Sequence, residues 1–225
     1  MSKILVIGAR GRAGKAAVAE AVGRGHEVLG ITRTADDGAA GDVTDAGQAA
    51  SAVGNVTDAG QAGSAVGDVT DAARIAELAV GRDAVIAAVY DGGADPSEFF
   101  PAAARALVEG LEKAGVRRLV WVGLASILPT AAGPLLMDTV GYPNEYRSFF
   151  LAHQAALDIF AASSLDWVSV APTGDFNHAD PTRKGTYRVA PPNAAELISY
   201  ADLAIALVDE IDHPAHRRTA IGVAV

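Results

Sequence analysis

Seven residues near the start of the chain, Gly8-Ala9-Arg10-Gly11-Arg12-Ala13-Gly14, have a spacing that can hold a phosphate chain. In a G-x-x-G-x-x-G run between a strand and a helix, the glycines have separate tasks. Gly8 permits a tight turn, Gly11 lets backbone amides approach a pyrophosphate, and Gly14 lets the helix pack close to the sheet. The helix N-terminus adds a favourable field for phosphate charge. Arg10, Arg12 and Ala13 belong to the same cofactor-binding loop, and the two arginines add positive charge to it. A second chemical signal lies at Ile31-Thr32-Arg33-Thr34. An NAD site usually has Asp or Glu here for the ribose hydroxyls. Arg33 instead suits bidentate recognition of a 2′-phosphate. NADP(H) is therefore the expected cofactor, with NAD(H) as the alternative. The plainer reading of these arginines is a solvated surface.

The elements that must position these residues can be read from pattern. Lys3–Gly8 is a short apolar run, read as a buried strand. Lys15–Val22 is Ala-rich and helical, Gly23–Gly25 stops it, and Glu27–Thr32 is a second strand. Strand, helix and strand in this order make a βαβ unit with a right-handed crossover. Further on, Asp83–Val89, Arg118–Val122, Asp166–Ala171 and Arg218–Val223 read as strands. Ser97–Ala114, Glu145–Ala162 and Tyr200–Ile211 read as helices, with Ser97 as N-cap and Gly115 as stop. The alternation predicts an α/β fold, a Rossmann-type doubly wound and mainly parallel sheet.

One segment breaks the alternation. GDVTDAGQAASAV at Gly41 is followed by GNVTDAGQAGSAV at Gly54, which differs from it at two of thirteen positions, and GDVTDAARIAELA begins at Gly67. The period is too short for a solenoid. It reads as a tandem duplication, an insertion over residues 41–66 inside one α/β unit. The third copy runs directly into a helix at Ala72–Val80, so it is expected to be the structural copy. The extra copies are expected to form an Ala/Gly-rich excursion or short added helices. Asp68 and Val69 would then flank the adenine, with Asp42 or Asn55 taking that place in another repeat register.

Composition narrows the function. The 225 residues suit a single domain over 1–225, and 18 basic against 27 acidic residues leave a net charge of −9. That argues against general nucleic-acid binding. The absence of cysteine excludes disulfides, a thiolate nucleophile and Cys-ligated metals. The apolar run Ile4–Ile7 is too short for a signal peptide. Leu119–Met137 carries no charge, but Pro129, Pro134, Gly123 and Gly133 suit a buried strand and apolar loop better than a membrane helix. A cytoplasmic protein with no membrane partner is expected, as monomer or homodimer. His213 and His216 lack an acidic third ligand at a matching spacing, so no metal site is expected. Asn55-Val56-Thr57 fits a glycosylation pattern that a cytoplasmic chain would not use. Ser163 and Ser164 lack a nucleophile-elbow context.

The segments GARGRAG at Gly8, GDVTD at Gly67, GRDAVIAAV at Gly81 and RRLVWVGLAS at Arg117 lead to a family likeness. With them go LAHQAALDIFAASSLDWVSVAP at Leu151, GTYRV at Gly185 and ISYADLAIALVDEI at Ile198. The chain resembles the atypical short-chain dehydrogenase/reductases, in the NAD(P)H-binding, NmrA-like group that includes NADH-flavin reductase-like and biliverdin reductase B-like proteins. The resemblance implies that Ser126 and His153 lie near the nicotinamide and the substrate. It also implies that Ala171, Pro172 and Thr173 pass the carboxamide and that Val89 and Tyr90 pack against the cofactor.

Departures from that pattern shape the activity. Ordinary short-chain dehydrogenases use Tyr-x-x-x-Lys, in which lysine lowers the tyrosine pKa. Tyr146 is followed four residues later by Phe150, and Gln154 follows His153. The expectation is an NADPH-dependent reductase that passes hydride to a flat conjugated acceptor of flavin, quinone or enone type. Flavin would be a substrate rather than a bound group. Ser126 and His153 would orient the acceptor or relay a proton, and Tyr142 or Tyr146 could donate one. The plain readings are a strand-end serine, a core histidine and packed tyrosines. Substrate loops are expected at 90–96, 127–144 and 173–198. The alternatives are a non-catalytic NAD(P)H sensor, or a ketoreductase or isomerase with Tyr146 as acid.

Overall fold

The computed structural model describes residues 1–34 and 62–225. Among them the chain runs β1 (Lys3–Ile7), α1 (Arg12–Gly23), β2 (Glu27–Thr32), β3 (Ala62–Val66), α2 (Ala72–Ala79), β4 (Ala84–Ala87), α3 (Pro96–Ala114) and β5 (Arg118–Val122). It continues through α4 (Arg147–Ala162), β6 (Asp166–Pro172), β7 (Asp175–Phe176), β8 (Arg188–Val189), β9 (Leu197–Ile198), α5 (Tyr200–Asp212) and β10 (Thr219–Ala224). Single 3-10 turns at Ala125–Ile127 and Leu136–Asp138 lie between β5 and α4.

The described strands form a sheet ordered β3-β2-β1-β4-β5-β6-β10-β8, with β7 and β9 paired separately. Every neighbour in the large sheet is parallel except β8, which runs antiparallel to β10 at the edge. This is the Rossmann-type order, and the chain reverses its direction of winding between β1 and β4. The expected doubly wound α/β architecture in one domain is what the chain adopts.

Alternation along the strands builds two cores. Ile4, Val6, Val28, Ile86, Val120 and Val168 face Ala17 and Ala21 of α1 and Leu203 and Leu207 of α5. Leu5, Ile7, Val85, Leu119 and Trp121 face the other way, toward Ile75 of α2, Phe100 and Leu107 of α3, and Phe160 of α4. Buried on both faces, these strands have no polar alternation, which explains the continuous apolar runs.

Several boundaries differ from the sequence reading. The N-cap of α3 is Asp95 rather than Ser97: its side chain accepts from Ser97 N–H, and Pro96 takes the first helical position. A proline there loses nothing, because that N–H has no helical partner. The stop at Gly115 is as expected, in left-handed conformation with φ 75°. Strand β3 is made by Ala62–Val66, the last five residues of the second repeat copy, which were expected to form an excursion or added helices. They pair with β2 from Val28↔Ala62 to Thr32↔Val66. The third copy supplies the turn and α2, capped by Asp71 on Arg74 N–H. The first copy and the start of the second, with Asp42 and Asn55, lie outside the described residues.

One buried charge network ties the layers together. Arg118, at the start of β5, donates to Glu210 Oε2 of α5 at 2.7 Å and to the Glu210 carbonyl at 2.9 Å. It also reaches Asp166 Oδ1 at 3.3 Å, while His216 Nδ1 lies 2.5 Å from Glu210 Oε1. Removing one member strands the others away from water. Replacing Glu210 with alanine should destabilise the protein by about 3–5 kcal/mol, read by urea denaturation. A loss below about 1 kcal/mol would show that Arg118 finds solvent without Glu210.

Candidate cofactor and substrate site

The glycine loop closes at the C-terminal end of β1. Gly8 has φ 81°, and a Cβ on it would lie 2.1 Å from the Ala88 carbonyl oxygen. A Cβ on Gly14 would lie 2.1 Å from the Gly8 carbonyl oxygen. These two positions therefore exclude side chains by direct backbone contact. Gly11 is looser, with its nearest neighbour at 3.3 Å, and it serves as the N-cap of α1. No side chain caps α1 and no acid lies in its first turn. Its leading amides keep their capacity for an anion, so the loop fits a dinucleotide's pyrophosphate.

On one flank of this loop lies the β2 end. Arg10 donates to Thr34 Oγ1 at 3.1 Å. Arg33 pairs with Asp91, from the turn after β4. Val89 and the exposed Tyr90 precede Asp91 in that turn. Asp68 accepts from both Thr70 N–H and Thr70 Oγ1 at 2.8 Å, and Val69 packs into the core beside Ile31 and Ile75. Asp68 thus shapes the turn into α2, a local role that its spacing from Thr70 allows.

On the other flank lie the residues that the family resemblance led us to expect near a substrate. Ser126 is buried in the 3-10 turn after β5. Its Oγ is 2.8 Å from Tyr142 Oη. Loop 127–144 carries Tyr142 there by its own bonds: Leu136 N–H to Leu128 O at 3.0 Å, Thr139 Oγ1 to Leu136 O at 2.7 Å, and Arg147 to Met137 O at 3.2 Å. Tyr146, by contrast, stands 63% exposed at the N-terminal edge of α4. The structure therefore brings Tyr142, not Tyr146, onto Ser126.

His153 is buried on α4, with its ring 4.0 Å from Phe100 and 4.8 Å from Phe149 by centroids. Its Nδ1 is buried with no hydrogen-bond partner among the described residues. Burial lowers its pKa to about 3, so the ring is neutral near pH 7. Phe149 in turn meets Tyr90 edge-on at 6.1 Å. An aromatic wall therefore runs from Phe100 through His153 and Phe149 to Tyr90.

The 173–198 loop is held firmly. Pro172 and Thr173 are buried, and Thr173 Oγ1 donates to Glu196 Oε2 at 2.8 Å. Glu196 also accepts from Arg188 at 2.6 Å, and these bonds hold its carboxyl below the usual range. Asp202 of α5 is fully buried and accepts from Lys184 N–H at 2.9 Å, Gly185 N–H at 2.8 Å and Ser199 Oγ at 2.7 Å. Arg12, on the first turn of α1, reaches His178 Nδ1 at 3.1 Å and lies 5.4 Å from the Tyr200 ring centroid. Tyr200 is stacked on Phe176 at 3.9 Å. Phe176, His178 and Tyr200 were not singled out from sequence. Only the expectation of a substrate loop at 173–198 hinted at the first two, and nothing local marks Tyr200.

A cleft of about 680 Å³ opens at the opposite end of the sheet, lined by residues including Arg82, Arg117, Arg118, Asp166, Arg217 and Arg218. Its arginines serve the framework. Arg218 donates to the carbonyls of Ala161, Ser163 and Leu165 at the end of α4, and Arg117 to that of Ser164. Such contacts satisfy a helix C-terminus. Among the described residues no group of three or more His, Asp or Glu could hold a metal ion, and no helix is long and apolar enough to cross a membrane.

The sheet order and the glycine loop define a dinucleotide-binding domain of Rossmann type. The chain belongs to the NAD(P)H-binding family, whose model matches residues 8–214. It is 33% identical over 226 residues to the uncharacterized protein YwnB of Bacillus subtilis (strain 168), across 96% of this chain and 94% of that one. Among solved structures, one similar protein is a provisionally named exported protein of Burkholderia pseudomallei, 32% identical, with a TM-score of 0.75 and 100% of both chains covered. Another is a provisionally named NADH-flavin reductase of Streptococcus pneumoniae TIGR4, 27% identical, with a TM-score of 0.73 over 100% of this chain and 99% of that one. The chain is thus an NAD(P)H-binding protein with an oxidoreductase-like fold.

The state of His153 yields a stability test. Its folded pKa of about 3 lies below the ordinary 6.5, so the unfolded chain binds the extra proton between those values. The stability it supports is present above about pH 6.5 and is lost as pH falls toward 3. In denaturation series across this window, His153→Phe should show a shallower fall than the parent protein. Equal slopes would place a charged His153 in the folded protein.

Proposed function

We propose that this protein is an NADPH-dependent reductase acting on a flat conjugated acceptor of flavin, quinone or enone type. The observation that carries the reading is the Ser126–Tyr142 hydroxyl pair, 2.8 Å apart, beyond the same C-terminal edge of the sheet as the glycine loop. Strand β5 neighbours β4, which neighbours β1, so the pair emerges roughly 10 Å along the sheet from Gly8. That is the scale on which a nicotinamide lies from its pyrophosphate.

A bound nicotinamide supplies the hydride. The chain's own residues position and polarise the acceptor. Ser126 and Tyr142 hold one hydrogen-bonding edge, with Tyr142 as the group able to deliver a proton. Four residues on from Tyr142 stands Tyr146, so no lysine lowers the phenol's pKa from that position. Such a site suits acceptors whose reduced form takes its proton from water. Neutral His153 works as part of the apolar aromatic wall rather than as an acid. Arg12, His178 and the Phe176–Tyr200 stack border the pyrophosphate side. Arg33 and Arg10 favour NADP(H), with NAD(H) accepted more weakly.

A cofactor-binding sensor without turnover is the second reading, favoured by the missing lysine and the neutral histidine. The two are separated by loss of NADPH absorbance with FMN or a small quinone as acceptor, and with NADH as the cofactor control. Turnover is expected, with Tyr142→Phe and Ser126→Ala each lowering kcat about tenfold or more while NADPH binding persists. Tyr146→Phe should leave the rate close to that of the parent. Tight NADPH binding with no turnover on any acceptor would support the sensor.

A further inference from the structure

Arg33 follows the C-terminal end of β2, and Asp91 lies in the turn after β4. Both strands pair with β1, with Ile7 opposite Ile31 on one side and Ala87 on the other. Their backbones are therefore about 10 Å apart, twice the strand spacing. Between them β1 ends in Gly8, the first residue of the glycine loop. The Arg33–Asp91 ion pair thus spans the switch point from one flank to the other, across the mouth of the loop.

The two partners are held differently. Asp91 Oδ1 accepts from Gly93 N–H at 2.9 Å, which fixes the carboxylate independently of Arg33. The Arg33 side chain is 56% exposed, and its described contact is to the other Asp91 oxygen. A guanidinium carries five N–H donors in a planar fork that matches carboxylate and phosphate alike. The fixed carboxylate and an incoming phosphate are therefore rivals for one cation.

We propose that Asp91 is a specificity-determining residue that competes with the cofactor's 2′-phosphate for Arg33 and so attenuates the preference for NADPH over NADH. The proposal rests on the assignment of Arg33 to the 2′-phosphate made above. When NADH binds, Arg33 keeps its partner and Asp91 costs nothing. When NADPH binds, Arg33 must leave Asp91 or share itself, and the 2′-phosphate meets a fixed negative charge nearby. An exposed pair of this kind is weak, so the penalty is modest and the phosphate still prevails.

Dissociation constants for NADPH and NADH, from titrations of nicotinamide fluorescence, test this in the parent, Asp91→Asn and Arg33→Ala. Asparagine keeps the oxygen that accepts from Gly93 N–H and removes only the charge. Asp91→Asn should bind NADPH about two- to fivefold more tightly and leave NADH unchanged. Arg33→Ala should weaken NADPH and leave NADH unchanged. If Asp91→Asn shifts both cofactors equally, or weakens NADPH, while Arg33→Ala behaves as expected, the role of Asp91 is overturned and that of Arg33 stands. If Arg33→Ala leaves NADPH binding unchanged, the assignment of Arg33 falls and the proposal with it.

Discussion

The architecture depends on one close approach of backbone to backbone. The turn at Gly8 presses against the Ala88 carbonyl, and Gly14 presses against the Gly8 carbonyl, each closer than any side chain permits. That double contact locks the first turn of α1 over the end of β1 and beside the turn after β4. It sets the direction of the helix and hence where its leading amides aim. A methyl group at either glycine would push α1 away from the sheet, and with it the cofactor's anchor.

From this point the fold distributes its chemistry to two flanks. One carries the β2 end, where Arg33 and Arg10 gather positive charge. The other carries the turn after β4 and the ends of β5 and β6, where hydroxyls and aromatic rings gather. The parallel sheet makes this division possible because every parallel strand ends on the same side. The opposite end is given over to structure: arginines there satisfy helix carbonyls and tie α5 to β5 through the Arg118–Glu210 pair.

Two polar residues, one beyond β5 and one on α4, illustrate how environment decides role. Ser126 and His153 are both buried, and both were candidates for chemistry. Ser126 gains a hydroxyl partner, Tyr142, and remains a hydrogen-bonding group. His153 gains Phe100 and Phe149, and burial strips it of its proton. Residue type alone ranks histidine as the stronger acid–base candidate, and packing reverses that ranking.

Much of this was legible in the sequence because it depends on local spacing. The glycine loop, the buried strands and the Gly115 stop of α3 act over a few residues, where backbone geometry follows residue type. The edge strand Ala62–Val66 was less legible, since a nearly repeated segment offers the same pattern more than once. The pairings of Tyr142 with Ser126, Arg12 with His178, and Arg33 with Asp91 were decided only by tertiary structure. Their partners stand 16, 166 and 58 residues apart. No periodicity connects such positions: Ser126 and Tyr142 meet through the folding of the β5–α4 connection, and the other two pairs meet because the parallel sheet gathers the loops of different strands at one edge.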